Sequence, residues 1–575
     1  MSSLNKAEMS RVARSLGIVG FLTALVISPD LSYDPVNLIK MLFFVTGALF
    51  LISSVLTREF ARGLKPVNAF ETILLISLAC LLLVSVSNLL VANEIPREIQ
   101  LWGVFGRSTG LATIFSFIII FFVSSFTFKV LEIRSVLKFI VMTNLCLATY
   151  AVLQSFGIDF FDWSVEQTFA TLGNINFSSA YFGFSSVVIF RFVVDVNIEF
   201  YRRVSGVILI GINSLLIFNS GSLQGLMYTV VGVSVILVFM AYRRMKSGAI
   251  LFAGLSSIIS SVVLILYGTL GRGPFGSILF QETMIFRSDY WRAGLAMFKE
   301  NWLTGLGLDA YGLYYRQYRD QAAVLRTGDA RVSDSAHNVF IDLAVGSGIF
   351  GLSTLFLLFV VVILQATRLL RFSEFDDDSI MLFACVLVFL LYCIVGINNI
   401  AVMYWFYVFS GAIVARGRTK DTQGQSGSKK IIQKAKSPFP DSQNDYEVRA
   451  NFVLRGFVGL TIGLAICLPP FVSDYRFMSA WNTGDIQTIE SAAFSRFASN
   501  HLREKALEFA ISRNDGASAL RIASKIVESN PRSFYAWNVL GNLLANSQTG
   551  RSEANERVRG LDPIGQLFRE GSLGK

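Results

Sequence analysis

Two histidines occur in the chain, and His337 stands in the run Asp334-Ser-Ala-His-Asn338, where a long polar segment gives way to an apolar one. An imidazole changes charge close to neutral pH, so a histidine here could take a proton from a reacting hydroxyl. A lone interfacial histidine also serves simply as structure. What sets His337 apart is its company. Arg287 and Arg292 lie in the segment FRSDYWRAGLAMF, and Arg107 lies among Gly103, Gly106 and Gly110. A planar guanidinium suits phosphate-type anions, although cations at a membrane surface also snorkel between lipid headgroups. Arg287 and Arg292 are five residues apart and off a single helical stripe, so one anion need not meet both. The sequence contains no phosphate-cradling loop of the GxxxxGK type, no GxSxG elbow and no outward Asp-x-Asp pair. Chemistry here is therefore expected to use no metal and no cofactor, with arginine supplying the charge neutralisation.

These residues must be positioned by a very apolar chain. Of 575 residues, 53% are hydrophobic and only 16% charged, and the mean hydropathy is +0.55, which excludes an ordinary soluble domain. Apolar runs long enough to cross a bilayer are predicted at 15–28, 36–56, 70–92, 109–127, 136–156, 177–194, 204–219, 222–241, 249–268, 339–366, 379–396, 398–415 and 452–472. The fold class is an all-α, polytopic membrane protein with 12 + 1 transmembrane helices. No small-residue cleavage site follows the first run, which is expected to stay as an anchor. A net charge of +10 would suggest nucleic acid in a soluble protein, but the basic residues alternate between loops, as topology demands. Arg58, Arg62 and Lys65, then Lys129, Arg134 and Lys138, then Arg202 and Arg203, then Arg243, Arg244 and Lys246, then Arg368 and Arg371 mark cytoplasmic turns. The intervening loops at 29–34, 157–175, 219–222 and 396–399 carry no Lys or Arg. The reading is a multi-pass protein of the cytoplasmic (inner) membrane, N-terminus inside and C-terminus outside, with the lipid bilayer and no nucleic acid as partner.

Residues 1–415 form the expected membrane core, with 269–338 as one large extracytoplasmic loop holding Tyr290, Trp291 and Trp302, the candidate lid of a site. Residues 416–450 read as a cytoplasmic linker, 451–473 as the thirteenth transmembrane helix and 474–575 as an extracytoplasmic helical tail. Two amphipathic patterns in Ala517–Leu544, preceded by a weaker copy at Ile486–Ile511, resemble tetratricopeptide hairpins, which imply a protein partner. The acidic run Asp376–Asp378 reads as a solvated cytoplasmic cluster, and the five cysteines all fall within apolar spans.

Several segments, in order, resemble the O-antigen ligase and polymerase superfamily, which includes bacterial protein O-glycosyltransferases: GRSTGLATI from Gly106, AVLQSFGIDFFDW from Ala151, TLGNINFSSAYF from Thr171, FRSDYWRAGLAMFKENWLTGLGLDAYGLYY from Phe286 and SAHNVFIDLAVGSGIFGL from Ser335. The resemblance implies a helical membrane glycosyltransferase of cell-surface polysaccharide assembly. Its donor would be a glycan on polyprenyl (undecaprenyl) diphosphate, and its acceptor a hydroxyl of a glycan, lipid or protein. It carries functional roles to Arg287 and His337: His337 as proton acceptor, and Arg287, with Arg107 and Arg292, on the diphosphate. A single displacement would invert the anomeric carbon. One departure stands out: where many members carry Arg in a Ser-Arg-Gly context, this chain reads SGSLQGL, with Gln224 as a weak replacement or Arg107 taking over the charge. The competing reading, a transporter of a small solute or anion, calls for ionisable groups at mid-membrane depth, and the span centres hold none apart from Arg191, which sits near a cytoplasmic end.

Reporter fusions test this topology. A fusion near Gln425 is expected to read cytoplasmic and one after Ser473 extracytoplasmic; a cytoplasmic C-terminus would remove the thirteenth crossing.

Overall fold

A computed structural model of the chain describes residues 6–57, 60, 65–66, 68–91, 94–128, 133–161, 163, 167–371, 376–424, 442–544 and 547–570. Arg58, Arg62, Lys129 and residues 425–441 of the expected linker lie outside them. The described chain is helical throughout: α1 (6–25), α2 (37–55), α3 (69–91), α4 (97–102), α5 (111–127), α6 (134–155), α7 (175–193), α8 (200–219), α9 (224–245), α10 (248–269), α11 (276–279), α12 (282–300), α13 (311–318), α14 (321–327), α15 (339–371), α16 (377–395), α17 (400–424), α18 (442–483), α19 (486–493), α20 (500–512), α21 (516–529), α22 (534–543), α23 (548–561) and α24 (563–569). Each of the thirteen expected spans overlaps a helix, but among the described residues ten helices are long and apolar enough to cross a membrane by length and composition. The other three are α1, weighted by Glu8, Arg11 and Arg14, the 17-residue α5, and the serine-rich α7. The protein is a polytopic all-α membrane protein, its central core running from Met9 on α1 to Cys467 on α18.

The run Asp376–Asp378, read above as a solvated cluster, leaves Asp376 exposed and Asp377 partly so, but it is also a structural knot. Asp378 is buried and accepts from Arg134 at 2.8 Å and Arg191 at 3.1 Å, Asp377 pairs with Arg243, and Asp376 accepts from Arg416 at 2.8 Å. Five helices, α6, α7, α9, α16 and α17, are thereby tied together at the bundle end opposite His337. The sequence hides this because the partners stand 40 to 244 residues away.

Helix α18 packs along α2 through a stripe of small residues. A Cβ on Gly459 would fall 2.0 Å from the Leu49 carbonyl oxygen, and one on Gly463 2.6 Å from Thr46 Cα, the close approach that small residues permit between membrane helices. Two prolines, Pro469 and Pro470, sit inside this helix. Pro470 has no N–H for the Ile466 carbonyl four residues back, and the Trp102 indole donates to that oxygen at 3.0 Å. The helix then runs straight through the boundary expected at 473–474 to Thr483, and the Asp474 carboxylate accepts from Ser32 Oγ (2.6 Å) and Asp34 N (3.1 Å) in the α1–α2 turn.

The tail packs around its own core of Ile489, Leu502, Leu507, Ile522, Ile526 and neighbours and is also fastened to the loop between α10 and α15. Asp562, wholly buried, accepts bidentately from Arg319 (2.8 and 2.7 Å) and from Arg316 at 3.1 Å. Arg532 lies 3.5 Å over the Tyr314 ring and reaches Glu94, while His501 stacks on Phe105 at 4.1 Å. Burial lowers the His501 pKa to about 4, so it stacks as a neutral ring. Removing one partner of a buried pair strands the other charge. Asp562→Ala is expected to cost about 3–5 kcal/mol and expose residues 548–570 to protease, with Arg319→Met/Asp562→Leu recovering much of the loss. Thermal unfolding of the purified full chain checks this; an unchanged midpoint for Asp562→Ala would show that the pair contributes no stability.

Candidate functional site

The site is built where two backbone segments interlock. Helix α15 is broken at Ser347 and Gly348 (φ 63, ψ −149), which frees peptide groups for a neighbour. Into the break plugs the turn after α12: Leu306 N donates to Val345 O (2.7 Å), Gly307 N to Gly346 O (3.0 Å), and Ile349 N to Trp302 O (2.7 Å). A Cβ on Gly348 would fall 2.3 Å from the Leu303 carbonyl oxygen, and its left-handed φ disfavours any other residue. Nearby, Gly294 lets α12 press on α15, since a Cβ there would meet Ile341 at 2.4 Å. Arg287 rides on this α12, and His337 immediately precedes α15.

His337 is held by its own sequence. Asn338 caps α15, its Oδ1 accepting from Phe340 N (3.0 Å) and Ile341 N (3.2 Å), as a helix N-cap should. Asp342, one turn in, accepts from Ser335 Oγ and Ala336 N, both at 2.7 Å, and Ser335 Oγ accepts in turn from His337 N at 2.9 Å. His337 thereby adopts φ 53, a conformation unusual for a non-glycine residue. Its ring lies 5.7 Å from that of Tyr290, which packs with Tyr311 and Tyr315 in a small core of its own. Burial, then the positive charges of Arg287 and Arg107, lower its pKa to about 3.

Arg287 has no carboxylate partner among the described residues; its one recorded hydrogen bond runs from Nη1 to Met284 Sδ at 3.4 Å. Burial lowers its pKa, and its charge is felt by Tyr228, Tyr290 and Tyr392. Arg107 is brought to the same place, but is engaged by Asp334, three residues before His337. The Arg107 turn is itself pinned: Asp309 Oδ2 accepts from Val104 N (3.1 Å) and Thr109 Oγ1 (2.7 Å), and Asn37 donates to Gly106 O at 2.7 Å. Gly103 (φ 101) is required there, because a Cβ would fall 2.3 Å from Thr109 N.

Arg292, expected on the diphosphate, is committed elsewhere: it donates to Asp320 at 2.6 Å and to Asp289 at 2.5 Å, and Asp289 also accepts from Arg326. Five residues from Arg287 turns it well away around the helix. Gln224 opens α9 with its Nε2 donating to Asn176 O at 2.8 Å, while its Oε1 is buried without a partner among the described residues. One turn on, the wholly buried Tyr228 likewise has no hydroxyl partner among the described residues and lies within reach of the Arg287 charge. Sequence reading missed Tyr228, whose only signal was its spacing of four from Gln224 on one helix face. It also missed Asp342 and Ser335, the clasp behind His337.

Residues 206–356 match the family model Wzy_C, described as O-Antigen ligase. The matched stretch, about a quarter of the chain, contains Gln224, Tyr228, Arg287, Arg292 and His337 but not Arg107. It supports the O-antigen ligase and polymerase superfamily and a role in ligating cell-surface glycans. Comparison with curated proteins gives no match.

The His337 environment fixes a pH signature. Its folded-state pKa lies below the unfolded value of 6.5, so the stability tied to the neutral ring is complete above that pH and is lost as pH falls toward about 3. The free-enzyme kcat/KM is accordingly expected to show no histidine break between about pH 8 and pH 5. A break near 6.5 would mean that the imidazole is solvated and remote from the two arginines.

Proposed function

With an O-antigen ligase domain over residues 206–356 as the premise, we propose that the chain transfers a glycan from polyprenyl (undecaprenyl) diphosphate to an acceptor hydroxyl at the non-cytoplasmic face of the cytoplasmic membrane. The observation that carries this reading is the largely buried, carboxylate-free guanidinium of Arg287 beside a neutral His337. A buried unpaired cation is costly, and a bound anion would discharge that cost. A neutral imidazole beside it has a free ring nitrogen for the proton, and a bound diphosphate, by offsetting the Arg287 charge that depresses its basicity, strengthens it as a base.

In the reaction, the acceptor oxygen attacks the anomeric carbon while its proton passes to the His337 imidazole. The bond from the anomeric carbon to the diphosphate oxygen breaks, its electron pair leaves with the diphosphate, and the configuration inverts in this single displacement. Arg287 meets the charge that grows on the leaving oxygen, so the step calls on no metal. Gln224 and Tyr228 line the same approach with unpartnered polar atoms and are assigned to the diphosphate with Arg287. Arg107 is assigned to holding the His337 segment through Asp334, and Arg292 is left out. The apolar helices accommodate the polyprenyl tail, and the acceptor is a glycan, lipid or protein hydroxyl.

Transfer from a defined polyprenyl-diphosphate glycan by purified protein is the test. His337→Ala is expected to lower the rate roughly 100- to 10,000-fold with donor binding kept. Arg287→Lys keeps the charge, loses the planar fork and should still impair transfer. Tyr228→Phe preserves the packing and is expected to raise the donor KM roughly tenfold by removing one hydrogen bond to a charged group. Near-normal transfer by both the His337 and Arg287 variants at normal expression would sink the assignment.

A further inference from the structure

A lateral furrow runs along α18, away from the residues assigned to transfer. Its part nearer the site end has a volume of about 470 Å³ and is walled by Leu464, Leu468, Pro469 and Val472, with Arg476 and Arg496 at its mouth. A second cavity of about 420 Å³ continues it between α1, α2 and α18, lined by Ile18, Leu22, Phe43 and Leu460. Leu464 lines both, so the two form one apolar track. From Leu460 to Arg476 the helix rises about 24 Å at 1.5 Å per residue, against about 15 Å for half a hydrocarbon core. The track thus has room for an extended alkyl chain whose polar end reaches the interface.

Two features say what lies there. The walls carry almost no polar surface, and exposed Leu468 belongs to a helix that crosses the membrane. At the mouth, Arg476 and Arg496 are exposed and meet no carboxylate among the described residues; Arg496 rests over the Phe497 ring at 5.2 Å. No acidic residue lines the furrow. Two unneutralised guanidinium groups at the end of an alkyl-sized track complement one phosphate with a chain attached. We propose that this furrow binds a single anionic phospholipid, its phosphate on Arg476 and Arg496 and one acyl chain along Leu460–Val472. The lipid wedges α18 against α1 and α2 and so steadies the helix that leads into the tail. The inference does not depend on the transfer chemistry.

Native mass spectrometry of the full chain released from nanodiscs of equimolar phosphatidylglycerol and phosphatidylcholine tests it. The unaltered chain is expected to retain one phosphatidylglycerol, and Arg476→Gln/Arg496→Gln to lower its preference for that headgroup roughly 10- to 30-fold, the effect of removing two interfacial cations. Leu464→Trp/Leu468→Trp, which fills the track, is expected to lose the retained lipid whatever its headgroup. Both arginines are exposed, so the first variant keeps its fold if the second does not. No retained lipid, or an unchanged headgroup ratio in the arginine variant, overturns the proposal. So does displacement of phosphatidylglycerol by an equimolar polyprenyl phosphate, which would make the furrow a donor site.

Discussion

The arrangement turns on one guanidinium that the protein declines to neutralise. Arg287 is largely withdrawn from water, yet no carboxylate among the described residues meets it. Burying a charge without a partner opposes folding, so the surroundings must be rigid enough to prevent its escape. The interlocked backbone at the α15 break, the Gly294 contact and the tyrosine core beneath Tyr290 supply that rigidity. The same charge helps keep His337 neutral. One unsatisfied cation thus bears on both groups: it is itself open to an anion, and it helps hold the imidazole neutral.

The opposite end of the bundle shows the other solution to the same problem. There Arg134, Arg191, Arg243 and Arg416 share Asp195 and Asp376–Asp378, and Arg418 pairs with Glu71. Such fully paired clusters fix helix positions and have no capacity left for a ligand. The contrast separates charges that hold the fold from a charge that waits for a partner, and loop-charge counting, which sees only sign and position, cannot make that distinction.

Much of this was legible in the sequence because it is local. Apolar runs located the helices, since crossing a bilayer imposes a length, and the segments around Arg287 and His337 stood out by residue type. What the sequence did not carry is non-local. Arg292 reads as lying off the stripe of Arg287, but not where that direction leads: it hands Arg292 to Asp289 and Asp320, the latter 28 residues on. Asp376–Asp378 looked solvated because its arginines come from four other helices. Tyr228 went unread because a hydroxyl that lacks a partner among the described residues is invisible until its neighbours are placed.

The tail follows from the same reasoning. A helical appendage on a membrane protein reads in sequence as a domain of its own, yet Asp562 is buried against Arg319, 243 residues away, and the Asp474 carboxylate accepts from Ser32 in the α1–α2 turn. The contacts at Arg319, Arg316 and Tyr314 fall on or beside α13, whose Tyr311 and Tyr315 lie under Tyr290 and hence behind His337. The tail is thus linked to the site by one helix and two aromatic contacts. Because α13 is only eight residues long, too short to be stable alone, its geometry has to be imposed by what packs on both its faces. The tail supplies one of those faces, which makes it part of the frame that sets the imidazole in place.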